Sequence, residues 1–305
     1  MKELGTTVQR EIIAGVTTFM TMAYVIVVNP QILSETGMDQ AALTTATALA
    51  AMLATLIMAF YARLPFGLAP GMGINAFFAY TIVMQMGFSW QLALTAVFLE
   101  GLIFLLLTLF NIREAIVNSI PINIKHSVSV GIGLFIALIG LNSADIVITG
   151  MQAQPDGTIS GSILKLGDMG APNVLTALIG LVFTGVLLAL RTKGALLIGI
   201  VVTTLVGIPF GVTDIPENMQ VISSPPSLEP LFFKIQPTRI FSSDMLIVLF
   251  TLLFVDMFSA VGTLIGVGAK AGMLDEYGRL PRAKQALFAD AAGTTLGSLL
   301  GTSTV

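Results

Sequence analysis

Long apolar stretches separated by short polar ones run along the whole chain. Windows long enough to cross about 30 Å of hydrocarbon predict nine spans, centred near residues 21, 51, 77, 101, 136, 181, 202, 256 and 292. Runs such as "GLIFLLLTLF" lack the alternation of barrel strands, so the spans are predicted to be helices. With 55% hydrophobic and 10% charged residues, the pattern indicates an all-α polytopic membrane protein that has the lipid bilayer as its surroundings.

The basic residues fix a predicted orientation. With the N-terminus in the cytoplasm, the outer segments keep only Lys165, Lys234 and Arg239 of the 14 basic residues. This bias is typical of a correct topology, because basic loops resist translocation. We therefore predict a multi-pass membrane protein whose N-terminus is cytoplasmic, and we expect it in the plasma membrane. The other 11 fall in inner segments: Lys2, Arg10, Arg63, Arg113, Lys125, Arg191, Lys193, Lys270, Arg279, Arg282 and Lys284.

Composition also excludes several kinds of site. The chain has no cysteine and a single histidine, which excludes a disulfide framework, a thiolate metal site and a bis-histidine haem. No cofactor, metal or nucleic-acid partner is expected, and no removable signal peptide is evident. The outer loops 149–172 and 211–241 are interpreted as connectors. The sequence stops at Val305 without a helix stop signal, so we expect a fragment.

The stretch "GLAPGMGINAFFAY" (67–80) interrupts the third span. Pro70 removes a donor, while Gly71 and Gly73 release the backbone from helical geometry. Freed backbone groups must be buried in protein or line a wet cavity. Asn75 then offers a carboxamide for a planar ligand with mixed donors and acceptors. The alternative is a kink for close helix packing. "GSLLG" (297–301) is a similar interruption late in the chain, and such pairs point to a transporter site.

The stretch "LFVDMFSAVGTLIGVG" places Asp256 in the middle of a span. An ionised carboxylate there is unfavourable by about 2.5 to 3.5 kcal/mol or more, so it is expected to face the bundle interior and to have a function. Ser259 and Thr263 follow at helical spacing, with Gly262 and Gly266 beside them. Asp256 is predicted to carry a proton or to accept ligand N–H groups. The alternative is an acid that only fixes helix packing.

Two further acids lie within spans. Asp290 is assigned equally to a structural tie and to a proton path. Glu100 is expected to make a buried hydrogen bond to a neighbouring helix.

Hydroxyl groups and the histidine receive weaker interpretations. On the first helix, Thr17, Thr21 and Tyr24 fall on one side and could line the same cavity, or the two threonines could bond to their own backbone. His126 is interpreted as an interfacial residue.

Five stretches together resemble the azaguanine and hypoxanthine-type purine permeases of the nucleobase-cation symporter and nucleobase-ascorbate transporter superfamily. In order they are "AGVTTFMTMAYVIVVNPQIL" (14–33), "PGMGINAFFAY" (70–80), "NSIPINIKHSVSVGIGLFIALIGL" (118–141), "LFVDMFSAVGTLIGVGAKAGM" (253–273) and "ADAAGTTLGSLLGTSTV" (289–305). The resemblance spans nearly the whole chain.

The resemblance implies two inverted repeats of seven helices, with helices 3 and 10 broken and a core domain that moves against a gate domain. It divides the chain into core helices 1–4 (1–110), gate helices 5–7 (111–241) and an incomplete second repeat (242–305). It also implies proton-coupled uptake of a purine base (adenine, guanine, hypoxanthine or xanthine), with a homodimer left open. Proton coupling is assigned to Asp256 and Asp290, and the implied substrate site comprises Thr21, Gly71, Gly73, Asn75, Asp256, Ser259, Gly301 and Thr302.

The sequence departs from the pattern of the purine permeases in two respects. Ser259 stands where many relatives carry a second aspartate, which argues against a two-acid scheme on that helix. The family also continues beyond "GTSTV" with further spans.

Other classes of protein fit the residues less well. A prenyltransferase would need clustered acids, but the adjacent Asp275 and Glu276 lie in a basic loop, so no enzyme is predicted. An anion transporter or channel of the same architecture remains the alternative, although Asp256 favours a neutral, N–H-rich base.

Overall fold

The computed structural model describes residues 7–119, 122–150, 152–153, 159–160, 164–215, 223–238, 240–276 and 279–305. Across these ranges the chain forms eleven α-helices and four short strands. The helices are α1 (Val8–Met22), α2 (Val25–Ser34), α3 (Gln40–Ile57), α4 (Met72–Ala76), α5 (Trp90–Leu109), α6 (Ile112–Ser119), α7 (Ile122–Ser143), α8 (Pro172–Ala189), α9 (Ala195–Gly207), α10 (Ser243–Lys270) and α11 (Ala283–Leu300). The strands are β1 (Val147–Thr149), β2 (Gln152–Ala153), β3 (Ile159–Ser160) and β4 (Leu164–Leu166).

Polar caps begin three of the longest helices. The Asp39 side chain accepts the amide of Ala42 at 2.7 Å at the start of α3. Ser89 and Ser242 begin α5 and α10 in the same way, each accepting the amide three residues later at 3.3 Å. Each cap satisfies one of the amides that a helix leaves unpaired at its first turn.

Five helical segments are long and apolar enough to cross a membrane: Val8–Ser34, Gln40–Ala62, Trp90–Leu109, Pro172–Ala189 and Ser243–Lys270. The predicted spans near 77, 136 and 202 contain shorter apolar helices. The span predicted near 292 is α11, whose Lys284, Asp290 and many small polar residues lower its hydropathy. The prediction of a helical polytopic membrane protein is confirmed.

Two helices continue in π-helical geometry beside the break in the third span. The π-helical segment Met58–Ala62 extends α3, and Arg63, which follows it, has a φ of 54°. Phe77–Gln85 extends α4. Short π segments inside α-helices are frequent at functional sites, and these two segments bracket the irregular residues 63–71.

The chain divides into two compact units. The first comprises Met1–Tyr24 and Leu134–Ser223, and in it α8 packs closely on α9, because Gly180 lies against Thr203 and Gly199 against Thr184. The outer loop predicted to be a connector contributes two antiparallel pairs to this unit, β1 with β4 and β2 with β3. Backbone pairing at positions such as Val147 and Leu166 therefore orders part of that loop.

The second unit comprises Val25–Gly133 and Ser224–Val305. Its helix α11 packs against both α3 and α5. Glycines permit these close approaches: a Cβ atom at Gly293 would lie 2.7 Å from the Ala54 Cβ, and one at Gly101 would lie 2.3 Å from the Thr295 Oγ1. Small residues at such interfaces let membrane helices approach closely.

Gly101→Ala is expected to destabilise the second unit by about 1–3 kcal/mol, because overpacking a tight contact forces the backbones apart. The new methyl group would meet the backbone nitrogen of Thr295 at 2.9 Å as well as its hydroxyl. A lower apparent melting temperature of the detergent-purified protein would show this. Gly140→Ala is the matched control, since no described atom beyond the surrounding helix lies within 4 Å of a Cβ atom there. Equal melting of both variants would contradict the tight contact.

Candidate functional site

The backbone groups freed by the break in the third span are satisfied by protein. The Thr55 hydroxyl of α3 donates to the Leu68 carbonyl at 3.1 Å and accepts the Leu68 amide at 3.0 Å. The Gly71 amide donates to the Thr304 carbonyl at 3.1 Å. Helix α4 then begins at Met72. Of the two predicted ways to satisfy these groups, burial in protein applies to these two residues.

The second interruption lies where α11 ends. Gly301 has a φ of 97°, in the left-handed region. A Cβ atom there would lie 2.4 Å from the Leu231 Cβ, so glycine is required both by conformation and by space. The residues that follow, Thr302, Ser303 and Thr304, are at most 1% exposed. The two interruptions noted in the sequence therefore meet in space through the Gly71 to Thr304 hydrogen bond.

Asn75 lies at the centre of a buried polar network. Its amide nitrogen donates to the Asn29 side-chain oxygen, and its own oxygen accepts the Ser303 hydroxyl. Asn29 in turn donates to the hydroxyls of Thr47 at 2.7 Å and of Thr302 at 2.9 Å. All five side chains are fully buried. The network ties α2, α3 and α4 to the segment after α11 through side chains that can exchange partners with a polar ligand.

A charged cluster lies on α5, α6, α10 and α11. The Arg113 guanidinium Nη2 is 2.7 Å from the Asp290 carboxylate and 3.7 Å from that of Asp256. Its Nη1 donates to the Leu287 carbonyl at 3.0 Å, and the guanidinium lies 4.0 Å from the centre of the Phe104 ring. Arg113 is fully buried, although its position between two predicted spans places it among the basic residues of the inner segments. Burial is tolerated because two carboxylates compensate its charge.

Glu100 belongs to the same cluster. It is fully buried and accepts the Thr304 hydroxyl at 3.1 Å. The predicted buried hydrogen bond therefore exists, but its donor lies in the irregular segment after α11 and not on a helix. Glu100 also lies within electrostatic range of Asp256, Asp290 and Arg113.

The residues beside Asp256 separate into two groups. Asp256 is 3% exposed, and Ser259 and Gly262 are half-buried on the same helix. Thr263 is exposed, and no described atom beyond the surrounding helix lies within 4 Å of a Cβ atom at Gly266. The expected close-packed polar face thus covers only the first part of the stretch, because the later residues that are buried, such as Leu264 and Gly268, are not polar.

The remaining predicted site residues lie at the start of α4 and on α1. Gly71 and Gly73, at the start of α4, are half-buried. Thr21 belongs to the first unit, and its hydroxyl donates to the Thr18 carbonyl at 2.7 Å. Thr17 likewise bonds to its own helix at Ile13, which favours the backbone alternative for both threonines.

The side chain of His126 lies outside the described residues, so its interfacial role stays a prediction. Among the residues that the structure describes, no group of three His, Asp or Glu side chains could hold a metal ion.

Several residues of the site were not predicted. Asn29, Thr47, Ser303 and Thr304 join it only through contacts between distant parts of the chain. The signal for Asn29 was a polar residue, followed by proline, inside an apolar stretch. The signal for Arg113 was charge balance, since three intramembrane acids require a cation nearby.

The irregular residues before α4 and the segment after α11 meet inside the protein, next to buried acids. This arrangement is typical of secondary transporters, whose substrate sites use discontinuous helices. The fold and the site therefore define an integral membrane transporter and not an enzyme.

The chain belongs to the Permease family, whose family model matches residues 9–305. It is 39% identical over 305 residues to the adenine permease AdeP of Escherichia coli, covering 100% of this chain and 66% of that protein. It is 42% identical over 313 residues to the guanine/hypoxanthine permease PbuG of Bacillus subtilis, covering 99% of this chain and 68% of that protein.

A third relative has no substrate in its name. The chain is 47% identical over 304 residues to the permease MJ0326 of Methanocaldococcus jannaschii, covering 100% of this chain and 67% of that protein. The chain thus spans about two thirds of the length of these curated relatives. The resemblance to purine permeases stated from the sequence motifs is confirmed.

Proposed function

We propose that the protein takes up purine nucleobases across the plasma membrane by proton symport, with its N-terminus in the cytoplasm. The observation that carries this proposal is the meeting of the two interrupted segments at a buried carboxamide network, next to three acids. The names of the relatives AdeP and PbuG support a purine as substrate.

The chemistry of the network suits a nucleobase. A purine presents ring nitrogens and exocyclic groups in one plane, so it can exchange hydrogen bonds with the Asn75 carboxamide and the Ser303 hydroxyl. In the proposed site, Asn75 and Thr302 bind the base edge, and Gly71, Gly73 and Gly301 bring the backbone close to it. Asp256 accepts a base N–H group with Ser259 beside it.

The charges argue against an anion pathway. Glu100, Asp256 and Asp290 are all buried close to the network, and Arg113 is engaged by two of them. A pore for anions would place unpaired positive charge there. We therefore assign proton coupling to Asp256 and Asp290, and propose that a core domain moves against a gate domain, as in inverted-repeat transporters.

The test is uptake by the complete reading frame that encodes this chain, expressed in cells that lack purine uptake. We expect saturable entry of radiolabelled hypoxanthine, guanine, adenine or xanthine, and we expect a proton uncoupler to abolish accumulation of the preferred base. Radiolabelled sulfate serves as the anion control. Absence of uptake of every purine by a protein that is present in the membrane would overturn the proposal, as would uptake of the anion alone.

A further inference from the structure

Glu100 carries a buried carboxyl group that the proposed coupling by Asp256 and Asp290 does not use. Its side chain is fully buried on α5. Its Oε2 accepts the Thr304 hydroxyl at 3.1 Å, whereas its Oε1 has no hydrogen-bond partner among the described residues. An ionised carboxylate oxygen without a partner is strongly unfavourable away from water, and a neutral acid is far less so.

The charges around Glu100 do not balance. The groups that face it are Arg113 from α6, Asp256 from α10 and Asp290 from α11. In the described part of the cluster, three carboxyl groups therefore share one guanidinium. If all three were ionised, two negative charges would remain uncompensated in a site without bulk water. Such a cluster is stabilised when at least one carboxyl group binds a proton.

Distance decides which carboxyl group binds that proton. The Arg113 guanidinium lies 2.7 Å from Asp290 and 3.7 Å from Asp256. No ion pair within 4.0 Å joins it to Glu100 in the described cluster. Because Coulomb attraction falls with distance, the cation stabilises Asp290 most as an anion. Asp256 comes next, although its Oδ2 also accepts no hydrogen bond in the described residues, and Glu100 receives the least charge compensation.

We propose that the Glu100 carboxyl group is a proton-binding site of the transport cycle, an inference that rests on the proposed proton symport. One proton taken from the outer solution converts the carboxylate to the neutral acid, and the same proton leaves to the cytoplasm. When Glu100 is protonated, Asp256 and Asp290 are ionised against Arg113, and their part in coupling is to pass the proton to and from Glu100. Asp256 thereby remains available as an acceptor for the substrate.

Thr304 connects this proton to the substrate site. Its hydroxyl donates to Glu100, and its carbonyl accepts the amide of Gly71. Hydrogen bonds to an ionised acceptor are about twice as strong as those to a neutral one. Proton binding therefore weakens the hold of Glu100 on Thr304, next to Ser303, which bonds to Asn75. The proton is thus sensed where the two interrupted segments meet.

The decisive variant is Glu100→Gln, which mimics the neutral acid. The complete reading frame is reconstituted in proteoliposomes, and two processes are measured with the base that the wild type prefers. The first is accumulation under a gradient of one pH unit, and the second is exchange of labelled for unlabelled base without a gradient. A symporter of one proton accumulates its substrate up to about tenfold under that gradient. We expect the variant to lose this accumulation and to keep exchange within about twofold of wild type.

Two further variants guard against a purely structural effect. Glu229→Gln makes the same substitution at an exposed position and should accumulate like wild type. Thr304→Val keeps the carboxyl group and removes its hydrogen-bond donor. Because that donor stabilises the ionised form, its loss should move the pH of half-maximal uptake upward. An unchanged pH profile in Thr304→Val would argue against the inference, even where Glu100→Gln fails to insert into the membrane.

The outcomes separate this inference from the proposed function. If the wild type transports no purine, the proposed function and the Glu100 inference that rests on it are both overturned. If the wild type accumulates a purine and Glu100→Gln accumulates it equally, the proposed function stands and the Glu100 site is overturned. Loss of both exchange and accumulation in a folded Glu100→Gln protein would also overturn it.

Discussion

Arg113→Met is expected to lower the free energy of unfolding by about 3–5 kcal/mol, the range for removing one partner of a buried ion pair. The substitution leaves the Asp290 carboxylate without its 2.7 Å partner and removes the donor to the Leu287 carbonyl. Methionine fills a similar volume against Phe104, so lost charge compensation dominates. The measurement is the apparent melting temperature of the detergent-purified protein, together with its yield from the membrane.

A second substitution tests the electrostatic cause of that effect. Arg113→Met combined with Asp290→Asn removes the orphaned charge, so the double variant should be more stable than Arg113→Met alone. Coupling between contacting residues typically amounts to about 0.5–3 kcal/mol. Arg10→Met is the matched control, because Arg10 is exposed on α1. Wild-type melting of Arg113→Met would show that the ion pair does not stabilise the fold.

Asp256→Asn is expected to reduce purine uptake by about 10- to 100-fold. A hydrogen bond to a charged group contributes about 1.5–3 kcal/mol, and each 1.4 kcal/mol is about tenfold in affinity. The protein should still fold, since Arg113 keeps its closer partner Asp290. Initial rates of uptake at several substrate concentrations provide the measurement, normalised to the amount of protein in the membrane.

The same helix supplies the control for Asp256→Asn. Asp244 lies exposed in the first turn of α10, so Asp244→Asn changes the same group far from the cluster. It should transport within about twofold of wild type, because single surface substitutions have small effects. Equal uptake by Asp256→Asn and wild type would remove Asp256 from the proposed substrate site.

Local backbone chemistry made the interruption of the third span predictable. Pro70 and Gly71 disfavour a continuous membrane helix, and both lie in the irregular residues 63–71 before α4, whereas Gly73 is accommodated inside α4. The mid-span acids were predictable for a similar reason, since hydrocarbon penalises each of them individually. Such signals are contained in a short window of sequence.

Contacts between distant residues were not predictable in this way. The partner of Glu100 is Thr304, and that of Asp290 is Arg113. The orientation rule counts basic residues by their position between spans. It does not consider that a short helix between spans, such as α6, can bury its arginine, as Arg113 is buried here. Likewise, the strands in the outer loop depend on pairing between β1 and β4, which local composition does not encode.

The hydrogen bond between Gly71 and Thr304 also has a consequence for biogenesis. About 230 residues separate its donor from its acceptor, and a ribosome adds about 5–20 residues per second. The amide of Gly71 therefore waits about 10 to 50 seconds after its synthesis before its partner exists. During that interval the Gly71 amide needs another acceptor, such as water, because an unsatisfied amide in hydrocarbon is unfavourable.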